Sequence, residues 1–581
     1  MPPIWLTLAA CGGGPSATPT VVERLTPTEH LVRASMAVRG VRPSLDELRA
    51  VDQDPGALEG LVVGWLDGEA FGDTVEDWHA ELYLLRDDTN YQLPVVGLLA
   101  DRGLDQADVY RSTTEAPLRL VREVVLQDRP YTEILTADYT VADEIVADIY
   151  GLPYEDGGPV WQHTHWVDGR PRSGLLSDSQ LWRRHTSNAA NYHRGRANFV
   201  SRTFLCEDLG DRDVFVEGGV DVADPDAVAE AVSTREACVA CHDSLDPLAA
   251  YFWGFKEQIQ RNAVLSAYDL GCEWDWSLGE PPLGVYRPEH WCYPLKFWDV
   301  AEAEGWAERG LHPPAFFGDP GVDLVDLGEQ VTADPRFATC TARTFAGWLT
   351  QRDRDQLPDD WIEGLGEGLV SSGWSARQLV LSVVLSDAFA TRRVIRGDEP
   401  APFAVGLQTL RPEQASRTLR DLTGFRFLAD QDLPGCEGDG NDCWGAVDLL
   451  DSDLYGFRAM MGGVDAYTVT HPTHTPTPTG LLALRSVARQ AAGYVVDVDL
   501  AAPVAERHLL TRVEAGDRDE TLVRTQIEDL MARVEGELHP DRADVDALVA
   551  LWTSGAARTG PAEGWKLVIT ALLQDPRMEL Y

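Results

Sequence analysis

The residues with the sharpest chemistry are Cys238-Val239-Ala240-Cys241-His242. Two thiols three positions apart are spaced to reach both vinyl groups of one porphyrin, and an imidazole directly after them falls under the iron as proximal ligand. Chance would give the pattern at on the order of 0.003 per chain, from the Cys and His frequencies. A covalently attached haem c on Cys238, Cys241 and His242, the last binding the iron, is therefore the expected cofactor. The approach to the motif reads as helix: Asp224 is placed to cap it, Pro225 suits its first turn, and Val228, Ala231 and Val232 form an apolar stripe. A zinc site would want a fourth ligand, commonly from a second Cys-x-x-Cys, and the chain has none. A thioredoxin-type dithiol normally follows a strand rather than a helix. A motif kept without haem, its thiols structural or disulfide-bonded, stays open.

Other residue groups offer weaker chemistry. Met460 and Met461 are the only adjacent methionines, and either could supply a distal thioether to the iron; His290, His312, His471 or His474 would lower the potential instead. Packing is the ordinary use of such a methionine pair. Cys436-Glu437-Gly438-Asp439-Gly440-Asn441-Asp442-Cys443, just after Asp430 and Asp432, gathers hard oxygen donors of the kind calcium takes. It lacks the EF-hand spacing and closing glutamate, so a solvated turn clipped by a disulfide competes with a calcium site. His163-Thr164-His165 puts two imidazoles on one face only as a strand, and a polar edge is its default reading. No Gly-x-Ser-x-Gly elbow, phosphate-binding loop or His-Glu-x-x-His signature occurs.

The chemistry needs a compartment. Ile4 to Ala10 is a short apolar run ending Leu8-Ala9-Ala10-Cys11, followed by glycines and the polar stretch Pro15 to Thr20. This reads as a lipoprotein signal in which Cys11 is acylated and the polar stretch is a tether. Gly12 after the cysteine suits the outer membrane of a Gram-negative cell envelope. No later run of eighteen apolar residues could span a bilayer. The formal net charge of -45, from 94 acids against 49 bases, repels phosphate backbones and argues against nucleic acid as a partner. Setting aside Cys11 and the motif pair leaves Cys206, Cys272, Cys292, Cys340, Cys436 and Cys443, enough for three disulfides in an oxidising compartment. Local pairing of Cys272 with Cys292 and Cys436 with Cys443 would leave Cys206 for Cys340. Sequence does not fix the connectivity, and buried free thiols are the alternative.

The elements that must position these residues are mainly α. Leu118 to Leu126, Leu379 to Leu385 and Leu567 to Leu573 carry apolar residues at helical spacing, and long β-branched alternation is scarce. Each of the three helices carries a Leu-Val pair that reaches an aspartate eight residues after its leucine: Leu120-Val121 to Asp128, Leu379-Val380 to Asp387, and Leu567-Val568 to Asp575. A second echo pairs Arg33…Gly40-Val41-Arg42 with Arg417…Gly424-Phe425-Arg426. The repetition suggests stacked, related helical modules, although amphipathic helices also resemble one another without kinship. At 581 residues the chain is long enough for several cores. The expected divisions are a signal and tether at 1–22, a helical domain at 23–170, and a cytochrome c-like haem-motif domain at 171–265. A Trp- and Cys-rich insertion follows at 266–325, then a helical module at 326–400 and a helical domain with the acidic cysteine loop at 401–581.

Several phrases together resemble the large exported proteins of planctomycetes and myxobacteria, built from domains of unknown function that accompany planctomycete-type cytochromes c. They are Arg39-Gly40-Val41-Arg42-Pro43-Ser44 with Phe71-Gly72 and Trp78, and the stretch from Asp128-Arg129-Pro130-Tyr131 to Tyr139-Thr140. Gly174-Leu175-Leu176, Arg194-Gly195-Arg196 and Leu205-Cys206 follow, then Cys238 to His242 with Asp246-Pro247-Leu248, then Ala333-Asp334-Pro335-Arg336-Phe337 to Cys340. The chain departs from the pattern at Ala249, where glycine is usual, and in the bulky Tyr251-Phe252-Trp253. The resemblance covers most of the chain from about residue 25 and implies helical domains, a cell-envelope location and electron transfer; it supplies no substrate. The expected function is an envelope monohaem c-type protein that relays electrons to a partner oxidoreductase, since one haem without a second cofactor motif fits relay better than turnover. A haem peroxidase-like enzyme and a non-catalytic envelope scaffold are the alternatives.

Overall fold

A computed structural model of the chain describes residues 21–86, 93, 95, 97–188, 191–211, 224–256, 293–395, 403–428, 447–452 and 454–581. The protein is mainly α, 59% helical against 5% strand. The helices that carry the argument are α1 (Pro27–Arg39), α2 (Glu69–Tyr83), α3 (Gln106–Leu126), α4 (Arg194–Phe204), α5 (Pro225–Thr234) and α6 (Glu236–Ala250). They continue with α7 (Pro335–Thr350), α8 (Asp359–Ser371), α9 (Ala376–Val384), α10 (Pro412–Thr423), α11 (Phe457–Met460), α12 (Pro478–Ala501), α13 (Glu520–Glu535), α14 (Arg542–Thr559), α15 (Pro561–Leu572) and α16 (Pro576–Glu579).

Local signals explain why these segments are helical. α1 starts on a capping box, with Thr26 accepting from the Glu29 N–H and Glu29 reaching back, and Pro27 opens the first turn. It stops at Gly40, which takes φ 65° as its C-cap. A Cβ at Gly40 would lie 2.6 Å from the Arg417 guanidinium, so glycine here serves both the turn and the close approach of α10. Thr418 Oγ1 donates to the Gly40 carbonyl (3.0 Å) and Gln414 Nε2 to the Met36 carbonyl (2.9 Å), sealing α1 against α10. The echo between the two helices is thus real at the caps, because Gly424 ends α10 in the same left-handed conformation. It does not extend to the arginines. Arg33 is fully buried and donates to the carbonyls of Phe389, Thr391 and Gly406, whereas Arg417 pairs with Asp77.

The three Leu-Val runs lie in α3, α9 and α15, each packed beside a preceding helix: α2, α8 and α14 respectively. Their aspartates have parted company. Asp128 accepts from Ser375 Oγ, exposed Asp387 pairs with Arg24, and Asp575 caps α16. Short two-stranded pairings finish the frame: β1 (Val21–Arg24) runs antiparallel to β6 (Thr391–Ile395), β2 (Thr140–Ala142) to β3 (Gln162–Thr164), and β4 (Ala315–Phe316) to β5 (Asp319–Pro320). One apolar core runs from Leu31 to Tyr581, crossing the divisions suggested by sequence, with a smaller cluster around Leu99, Ile149 and Trp166. Each buried Leu, Val or Ile in it contributes roughly 1.5–3 kcal/mol relative to exposure. A disulfide joins Cys206 to Cys340 on α7, tying the loop after α4 to the helical segment beyond residue 326. Among the described residues no helix is long and apolar enough to cross a membrane.

Candidate functional site

Cys238, Cys241 and His242 all sit in the first two turns of α6. Residues three and four apart are neighbours on a helix surface, so the helix brings both thiols and the imidazole to one face. Alanines at 237, 240, 249 and 250 favour the helical conformation, and Glu236 in the first turn suits the positive end of its dipole. Both cysteines are half-buried thiols, with Cys241 Sγ 3.4 Å from the Leu209 carbonyl. α5 begins at Pro225, as the sequence indicates, and leads directly into α6.

The other end of α6 is anchored. Leu248, Ala249 and Ala250 are buried, and the bulky run that follows them inserts into the core. The Phe252 ring meets the buried Trp182 at 4.7 Å between centroids, and Trp253 meets His193 edge-on at 5.5 Å. Tyr251 Oη donates to Gln330 at 2.8 Å. Glycine opens the space: a Cβ on Gly254 would lie 2.4 Å from Trp298, and one on Gly321 would lie 2.0 Å from the Tyr251 hydroxyl. Alanine at 249 and the three aromatics after it therefore lock the helix through packing.

Between the reactive face and the anchor lies Asp246, one turn beyond His242. Its side chain is 7% exposed. Arg194, at the start of α4, grips both carboxylate oxygens, Nε to Oδ1 at 2.5 Å and Nη2 to Oδ2 at 2.9 Å. His242 Nδ1 meets the same Oδ1 at 2.9 Å. Burial works to raise the Asp246 pKa, but the hydrogen bonds and charges of Arg194 and His242 outweigh it and hold the carboxyl at about 2. An ionised carboxylate accepts only, so His242 carries its proton on Nδ1 and Nε2 is the nitrogen left for a metal.

These groups fit a c-type haem: two thiols on one helix face, an imidazole with a committed Nδ1, and a helix fixed at its far end. The sequence pattern alone does not join Asp246 and Arg194 to the site. Their 52-residue separation hides the pairing, although the His242-to-Asp246 spacing of four residues on a helix was a usable signal.

The other sequence candidates lie elsewhere. Met460 and Met461 end α11, which packs on α10 and α12, whereas α6 packs on α4, α5 and β4. Met461 lines a small cavity with Thr409, Leu410, Thr477, Gly480, Leu484 and Glu579. The principal neighbours of the methionine pair and of the Cys238–His242 segment share no element. His163 is on β3, stacked on Tyr139 at 4.2 Å and bonded to Glu123 at 2.6 Å, while His165 is past the strand end. His474 is held neutral, with its pKa lowered to about 4 by burial and by the nearby Arg411. Among the described residues no group of three or more His, Cys, Asp or Glu could hold a metal ion. Cys11, His290, Cys272, Cys292, and the oxygen-rich turn with Cys436 and Cys443 lie outside the described residues. Comparison of the chain with family models, curated proteins and solved structures finds no match.

Proposed function

We propose that this chain is a cell-envelope monohaem c-type protein that relays electrons to a partner oxidoreductase. The observation that carries the reading is the joint placement on α6: Cys238 and Cys241 one turn apart as thiols, and His242 beside them with Nδ1 engaged by Asp246. Haem bound there supplies a one-electron couple. Cys238 and Cys241 anchor the porphyrin through thioethers, and His242 offers Nε2 to the iron. The packed run Tyr251 to Trp253 keeps α6 from shifting as charge changes, which suits relay because a site that moves little has a small reorganisation cost. The net charge of -45 suits a redox partner with a basic docking face and not a nucleic acid. Lipidation at Cys11 would hold the protein to the outer membrane. The resemblance to planctomycete-type cytochrome c proteins supports the same compartment and chemistry.

Haem-stained electrophoresis of the chain, made in a host with c-type maturation, tests the reading together with His242→Ala. The wild type should stain under denaturing conditions and show a low-spin ferric spectrum that resists prompt cyanide binding. The variant should retain haem in low yield and lose the low-spin spectrum. An unstained wild type, or a variant with an unchanged Soret band and midpoint potential, would overturn it.

A further inference from the structure

We infer that Asp246, braced by Arg194, is the positioning residue of the site, fixing His242 with its proton on Nδ1, raising the donor strength of Nε2 and so holding the haem at a low midpoint potential. This rests on the proposed function above and specifies how the chain would set the potential of that centre. The geometry has three parts. His242 and Asp246 are four residues apart on α6, so the helix itself presents the carboxylate to the ring. Oδ1 is shared between His242 Nδ1 and Arg194 Nε, while Oδ2 is held by Arg194 Nη2. With a side chain only 7% exposed and both oxygens engaged, turning the carboxylate away from His242 would also disturb its hydrogen bonds to Arg194.

A plain tie between α4 and α6 would account for the Arg194 fork alone. It does not account for the imidazole turning back along the helix onto the same oxygen. A metal-bound histidine whose second nitrogen donates to a carboxylate becomes a stronger donor, and a stronger donor favours the oxidised metal. Arg194 moderates that effect by drawing charge towards itself, so the two side chains act on His242 in opposite directions.

The test is spectroelectrochemical titration of the haem-loaded chain and four variants. Asp246→Asn keeps the shape and removes the charge; it should raise the reduction equilibrium constant about tenfold, which is about 59 mV for one electron. Arg194→Gln should move the constant the other way. Asp246→Glu should return towards the wild type. Asp243→Asn, an exposed carboxylate on the same helix, makes the same change in charge and should leave the potential nearly unmoved. Nitrogen-15 spectra of the His242 ring give a second reading that charge alone does not move. The Nδ1–H signature should be sharp in the wild type and weakened in Asp246→Asn. Equal shifts for Asp243→Asn and Asp246→Asn, or a His242 tautomer indifferent to Asp246, would overturn the inference while leaving the haem in place. A wild-type chain without haem would instead sink the proposed function, and the role of Asp246 with it. If Asp246→Asn fails to take up haem, the sign of the Arg194→Gln shift decides.

Discussion

Asp77 and Asp246 are both little-exposed carboxylates gripped by arginine, yet they sit in different kinds of site. Asp77, on α2, lies between two guanidiniums: Arg86 Nη1 donates to Oδ1 at 2.6 Å and Arg417 Nη1 donates to Oδ2. Arg86 also binds Glu115, and nearby Arg411 binds Glu81. Burial would raise the Asp77 pKa, but Arg417 and Arg86 pull it below the ordinary carboxylate range. Every partner there is permanently charged, and the cluster stitches α2 to α10 across the core. Asp246 has one arginine, and its second partner is an imidazole with a nitrogen to spare. A carboxylate enclosed by arginines holds a fold together; one shared with a histidine beside two thiols can also direct chemistry.

Asp77→Ala leaves Arg86 and Arg417 facing each other, and should cost about 3–5 kcal/mol in urea unfolding, the usual penalty for stranding a buried charge. Replacing Cys206 and Cys340 together by serine releases a 134-residue loop and should cost about 2–5 kcal/mol, read in the same assay against the oxidised, disulfide-bonded wild type. Asp246→Ala should cost less, about 1.5–3 kcal/mol for lost hydrogen bonds to charged groups. Its larger effect should fall on His242. A destabilisation by Asp246→Ala greater than that of Asp77→Ala would make Asp246 a structural brace and erase the distinction.

A further effect concerns pH. Glu535 on α13 has a side chain with no exposure, neither carboxylate oxygen hydrogen-bonded, and Arg577 at 3.4 Å. Burial, only partly countered by Arg577, pushes its pKa up to about 7. The folded state then holds a proton that the unfolded state gives up. The associated stability is complete below the ordinary glutamate range and is lost as pH rises through about 7. Glu535→Gln should remove up to about 3 kcal/mol of the decline between pH 4 and pH 8. Thermal unfolding across that window checks it, and an unchanged slope would exclude Glu535 as the source.

Much of the fold was legible because helices announce themselves locally. Pro225 before α5, the capping box of α1 and the glycines at 40 and 424 are signals read within a few residues. The Cys206–Cys340 bond follows one of the pairings that cysteine counting left open. The Cys238-x-x-Cys241-His242 spacing is equally local. What stayed hidden was the long-range pairing that gives a residue its role. Arg194 and Asp246 meet through the packing of α4 on α6, and Asp128, Asp387 and Asp575 acquire three different partners from similar surroundings in sequence. Local patterns fix which helix forms; the charge that ends up opposite a given side chain depends on the whole packed core.

A porphyrin carried on α6 stays covalently bound to its peptide after digestion. Mass spectrometry of the peptide containing Cys238 to His242, from chain matured in a c-type-competent host, reads that bond. The peptide should carry one haem through two thioether bonds, with neither cysteine open to alkylation. An unmodified peptide that alkylates at both cysteines, or one closed by a Cys238–Cys241 disulfide, would exclude haem attachment at α6.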